Sequence, residues 1–149
     1  MEENEKKGFK ELLGELIVPK VERIAALLLF AALLMKYFGA SGYAQILGIS
    51  LTTLGITTYL YAFLLKSNGL LETILIKLGH IAGSVTLVGV MFASLQLPGS
   101  ETMIPIGLVA LSIAILLMIY GLLYQKTNIS KPVLVRYSII FLLGVLSFF

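Results

Sequence analysis

The stretch Met103–Tyr124 reads MIPIGLVALSIAILLMIYGLLY and carries no charged side chain. As a helix, about 20 apolar residues cross roughly 30 Å of hydrocarbon. Working outward, four more long apolar runs occur at about Val21–Phe38, Ala44–Leu65, Leu78–Leu97 and Val133–Phe149, with short polar breaks between them. In lipid every backbone polar group must be satisfied internally, so only helices and closed barrels span. Long runs with no polar alternation are helices. The sequence therefore predicts an all-α integral membrane protein, a bundle of five transmembrane helices.

Composition points the same way. Of 149 residues, 58% are hydrophobic and 13% charged, whereas soluble domains carry about a quarter charged residues. Mean hydropathy is +1.00. No segment is left for a soluble catalytic domain. The chain divides into residues 1–20, a polar tail with an amphipathic interfacial helix, and 21–149, one transmembrane bundle.

The charges set an expected orientation. Lys6, Lys7, Lys10, Lys20, Arg23, Lys66, Lys77, Lys126, Lys131 and Arg136 fall on one side of the five runs, and only Lys36 on the other. The positive-inside rule then predicts a cytoplasmic N-terminus and a periplasmic C-terminus. The net charge of +3 is a topology signal and does not imply nucleic acid. The expected partners are the lipid bilayer and either further copies of the chain or another membrane protein.

Phe9, Leu12, Leu13, Leu16 and Ile17 recur at helical spacing, which predicts an amphipathic helix over residues 8–18. Pro19 should break or restart it. Gly39–Gly42 and Pro98-Gly99 are tight outer turns. Ile24-Ala25 matches Ile81-Ala82, Gly48 matches Gly107 and Tyr61 matches Tyr120. These pairs suggest two parallel helical hairpins plus a fifth helix. Shared hydropathy alone is the alternative.

Small residues mark the expected packing faces. Gly79 and Gly83 form a GxxxG, continued by Thr86, Gly89 and Ala93. Gly48 and Gly55 lie on the second run and Gly107 on the fourth. Such stripes let helices approach closely where no hydrophobic effect drives association. The candidate functional polar residues are Lys36, His80, Glu101 and Arg136. Lys36 reads as an interfacial anchor that could pair with Glu101. His80 reads as snorkelling or bonded to a neighbouring backbone group, and Arg136 as reaching the inner headgroups.

The chain has no cysteine and no aspartate, and its one histidine is His80. No catalytic motif is present, and no ionisable residue is expected in the middle third of any helix. Catalysis, a metal site and a bound cofactor are not expected.

Two stretches carry a resemblance. They are Leu34–Ser41 with Ile46–Ile49, and Gly79–Gly83 through Phe92 to Pro98-Gly99-Ser100 and Ile106–Leu108. Their pattern resembles GldL-like membrane hairpins of the Bacteroidota gliding-motility and type 9 secretion apparatus. Lys36 would match that family's outer-end lysine. The family's intramembrane glutamate is missing from 48–65 and 107–124, and its long cytoplasmic region does not follow. The resemblance implies a hairpin scaffold in a bacterial inner membrane, without the motor role.

The expected function is a non-enzymatic inner-membrane assembly or accessory subunit acting through helix packing. The alternatives are a small oligomeric transporter or channel for an uncharged or hydrophobic solute, and a lipid-binding membrane protein.

Overall fold

The computed structural model describes residues 8–65, 69–124 and 131–148. The tail 1–7 and the breaks holding Lys66 and Lys126 lie outside the described residues. All regular structure in the described residues is helical. The order is α1 (Phe9–Leu12), a π-helical turn (Leu13–Ile17), α2 (Val18–Tyr37), α3 (Tyr43–Leu64), α4 (Leu70–Ser94), α5 (Ser100–Tyr124) and α6 (Lys131–Phe148).

Pro19 does not break the chain. Proline lacks an N–H and its ring crowds the carbonyl four residues back. The π turn just before it absorbs that conflict. Val18 N–H bonds Leu13 O, five residues back, and α2 starts with the proline in its first turn. Such single π turns inside helices widen the backbone locally. The segment expected as a separate amphipathic helix is therefore continuous with α2.

Among the described residues, three helices are long and apolar enough to cross a membrane: α3, α4 and α5. The two outer members of the predicted five fall short of the same standard. In α2, Lys20, Glu22, Arg23 and Lys36 dilute the run. The apolar part of α6, Pro132–Phe148, is short.

The predicted turns are where expected. Gly39 and Gly42 take φ +69° and +86° between α2 and α3, and Gly99 takes φ +102° before α5. Those values favour glycine because it has no Cβ to collide. Both turns sit at the same end of the bundle.

α4 is the central helix. It packs against α3, α5 and α6, whereas α2 packs on α3. Gly48 meets Leu95 and Gly55 meets Ser84, while Gly107 meets Thr86 and Gly89 meets Ile104, so α3 and α5 run antiparallel to α4. Gly79 meets Tyr137, Gly83 meets Ile140 and Gly144 meets Thr86, so α6 runs parallel to it. On α2 the buried residues are Val18, Ala25 and Ala32. Their seven-residue spacing is that of a left-handed helix seam, and small side chains at two of the three bring the α2 and α3 backbones close.

Candidate functional site

α4 starts at Leu70, well before the apolar run that defines it in sequence. His80 therefore sits near the middle of this 25-residue helix. This corrects the expectation that no ionisable residue lies in the middle third of a helix. It also corrects the snorkelling alternative, since His80 is 0% exposed. The other expectation, a bond to a neighbouring backbone group, is met: Nδ1 lies 2.8 Å from Ile76 O.

The second partner is Tyr137, which no sequence motif marks and which is 0% exposed. Its hydroxyl donates to Ile76 O at 3.1 Å and touches His80 Nδ1. A carbonyl only accepts, so protonation at Nδ1 satisfies Ile76 O. That tautomer leaves Nε2 as a lone-pair acceptor, and Nε2 has no partner among the described residues. Gly79 explains how the tyrosine gets in. A Cβ there would stand 2.5 Å from Tyr137 Cε2, so only glycine leaves room for the ring.

The polar group widens through aromatic contacts. The His80 and Tyr137 rings meet edge to face at 5.1 Å. Tyr61, from α3, lies 5.8 Å from the imidazole. The Arg136 guanidinium sits over the Tyr61 ring, 4.6 Å from its centroid, within cation–π range. Arg136 also pairs with Glu22 of α2. It is thus held by protein groups on α2 and α3. Arg23 lies near enough to interact electrostatically with Tyr61. Four helices, α2, α3, α4 and α6, meet at this knot.

The expected pair of Lys36 and Glu101 does not form. Both side chains are exposed, and α2 and α5 are separated by α3 and α4.

Higher on α4 the contacts are of a different kind. Thr86 is fully buried and donates to Ala82 O at 2.9 Å. It is wedged between two glycines. A Cβ on Gly107 would fall 2.9 Å from Thr86 N, and one on Gly144 would fall 2.7 Å from Thr86 Cγ2. Gly89 is as tight, with Ile104 Cγ1 at 2.8 Å. Gly83, the second glycine of the GxxxG, is not: its nearest neighbours stand at 3.4 and 3.5 Å, ordinary contact. Gly55 and Gly48 are intermediate, against Val88 Cγ2 at 3.3 Å and Leu95 Cδ1 at 3.2 Å. Ala93 is partly buried. Gly144 was missed because its run has no second glycine, and Ser147, three residues on, is its one small neighbour at helical spacing.

Between α2 and α6 lies an apolar cleft of about 610 Å³, lined by Ala26, Leu29, Leu54, Leu87, Ile139 and Leu143, with Glu22 and Arg136 also on its wall. It exists because α2 rests on α3 while α6 rests on α4 and α5.

Compared with protein-family models, curated proteins and solved structures, the chain matches none. Its function is therefore argued from this geometry.

Proposed function

We propose that the chain is a five-span bacterial inner-membrane protein, N-terminus cytoplasmic and C-terminus periplasmic, working as a non-enzymatic assembly or accessory subunit through helix packing. From the GldL-like resemblance this reading takes only the hairpin scaffold and the inner-membrane setting. Spans four and five of the count are α2 and α6, whose charges Glu22 and Arg136 pair with each other. A paired carboxylate and guanidinium near a helix end cost far less in a bilayer than isolated charges at its centre.

The observation that carries the reading is where the internal hydroxyls point. Ser50 donates to Leu47 O, Thr57 to Leu54 O, Thr86 to Ala82 O and Ser112 to Leu108 O, each within its own helix. Ser84 donates across to Gly55 O at 2.9 Å and so ties α4 to α3. A path for a polar solute needs donors turned toward a continuous cavity, and these are turned toward backbone. Meanwhile the outward faces are broad and apolar, with Leu27 and Phe30 on α2 and Val109 and Leu116 on α5 all exposed. Such faces suit lipid or other membrane helices.

The test is extraction in mild detergent followed by native mass measurement. A homo-oligomer or a stoichiometric membrane partner is the expected result. A lone monomer that passes a neutral solute across liposomes would replace this reading with the transporter. Reporter fusions after Tyr124 and at Phe149 should read cytoplasmic and periplasmic, and a cytoplasmic C-terminus would remove the five-span topology.

A further inference from the structure

The knot around His80 accommodates a neutral imidazole and nothing else. Nδ1 is committed to Ile76 O at 2.8 Å, within its own helix. Nε2 is buried and has no partner among the described residues. In the neutral ring Nε2 is a bare acceptor; in an imidazolium it becomes a donor, and the ring gains a positive charge. A buried cation with an unmet N–H is far more costly than a bare lone pair.

The surrounding helices do not offset that charge. α3 brings the Tyr61 ring, and α6 brings Tyr137 and the Arg136 guanidinium. Arg136 is itself a cation, and Glu22 of α2 is already paired with it. Lys20 and Arg23 of α2 have the same sign as an imidazolium. α5 has no titratable side chain from Met103 to Ile119, and its Tyr120 is exposed. On α4 itself Lys77 is exposed and Glu72 is half-buried near the start of the helix. A proton nevertheless has a way in. Tyr61, 5.8 Å from the imidazole, also lines a cavity of about 420 Å³ that has Glu11 and Glu15 on its wall.

We propose that His80 Nε2 is a proton-binding site whose occupation withdraws Tyr137 from its seat at Gly79 and swings the Arg136 half of α6 away from α4. Water then reaches the imidazolium. α6 is the element that yields. α3 is tied to α4 by the Ser84 bond to Gly55 O, and α5 by the close approaches at Gly89 and Gly107. Beside His80, α6 is held through Tyr137, and the next residue, Arg136, is already 22% exposed. The Gly144 contact with Thr86, two turns further along α6, serves as the pivot. The displaced state binds one proton more than the seated state, so a falling pH favours displacement, by up to about tenfold per pH unit. This goes beyond the subunit reading and is independent of it, because the α4–α6 contact lies within one chain.

The experiment uses the full chain in lipid nanodiscs, titrated from pH 8 to pH 5. The chain has no cysteine, so Ile74→Cys on α4 and Val135→Cys on α6, both exposed, take a pair of spin labels cleanly. Electron-electron resonance should show one distance at pH 8 and a second, longer one that grows as the pH falls. His80 is the chain's one histidine, so nitrogen-15 histidine NMR of the unlabelled protein reports that residue alone. Its protonation should follow the same pH curve as the longer distance. Histidine is the side chain that ordinarily titrates in this range, and His80→Gln should hold the distance constant throughout. If that variant does not fold, the agreement of the two curves in the unaltered protein decides. Protonation of His80 with α6 unmoved overturns the proposal, as does an imidazole still neutral at pH 5. A longer distance that persists in His80→Gln assigns the movement to another group and overturns it too. Tighter seating at low pH would mean that Nδ1, not Nε2, takes the proton, and would also overturn it.

Discussion

The two hairpins, α2–α3 and α4–α5, match in direction and in having a tight turn with a positive-φ glycine, yet α2 is peripheral and α4 is central. Both are apolar throughout most of their length. The difference lies in how many sides carry small residues. On α2 a single stripe, Val18, Ala25 and Ala32, is buried, and the rest of the helix exposes Ile24, Leu27 and Phe30. On α4 glycines or hydroxyls occur on three sides: Ser84 and Val88 against Gly55, Thr86 against Gly107, and Gly79 against Tyr137. In lipid a leucine gains little by moving from acyl chains to a protein interior, so close backbone approach decides which helix sits inside. The pairing of Tyr61 with Tyr120 fails for the same reason: Tyr61 is buried against His80 and Tyr120 is 53% exposed.

The sharpest way to break this comparison is to remove the room at the α4–α5 contact. Gly107→Leu places a side chain where Thr86 N already stands 2.9 Å from the Cβ position. Overpacking costs about 1–3 kcal/mol and sometimes more, so a large drop in melting temperature in detergent is expected. An unchanged melt would mean that α5 slides freely on α4 and that α4 is not the hub.

Glu22→Ala tests what holds α2. It leaves Arg136 without its carboxylate in a partly enclosed site, at a cost of about 1–3 kcal/mol. Proteolysis in detergent should release the N-terminal helix while α3–α6 stay protected. Equal protection throughout would show that the alanine seam alone fixes α2.

Tyr137→Phe removes the hydroxyl shared by Ile76 O and His80. A loss of about 1 kcal/mol is expected. Nitrogen-15 NMR of labelled histidine should find Nδ1 protonated before the change and after it, since Ile76 O remains as acceptor. A spectrum showing the Nε2-protonated tautomer in the unaltered protein would reverse the hydrogen-bond assignment.

Gly48→Ala should have the smallest effect, within about 0.5 kcal/mol of zero. The nearest obstacle is the terminal methyl of Leu95 at 3.2 Å, which can swing aside, and alanine favours the helix by about 1 kcal/mol. If it destabilises as much as Gly107→Ala, the first hairpin is as tightly seated as the second and the contrast between them disappears.

Sequence alone determined the all-helical class and the tight turns. A segment in lipid must bond its own backbone, so an apolar run of sufficient length has no other regular form available. The positions of Gly39, Gly42 and Gly99 at positive φ follow from local sterics in the same way. Small residues on α3, α4 and α5 were legible as packing faces, and Gly107 and Gly89 proved to be true close approaches. What only the tertiary structure decided is which face meets which helix. The parallel seating of α6 on α4 put Tyr137 into the space at Gly79, Gly144 onto Thr86 and Arg136 onto Glu22. No local pattern encodes these pairs, because their members lie far apart in the chain. Hydropathy is blind to them as well, since lipid and helix interior are equally apolar.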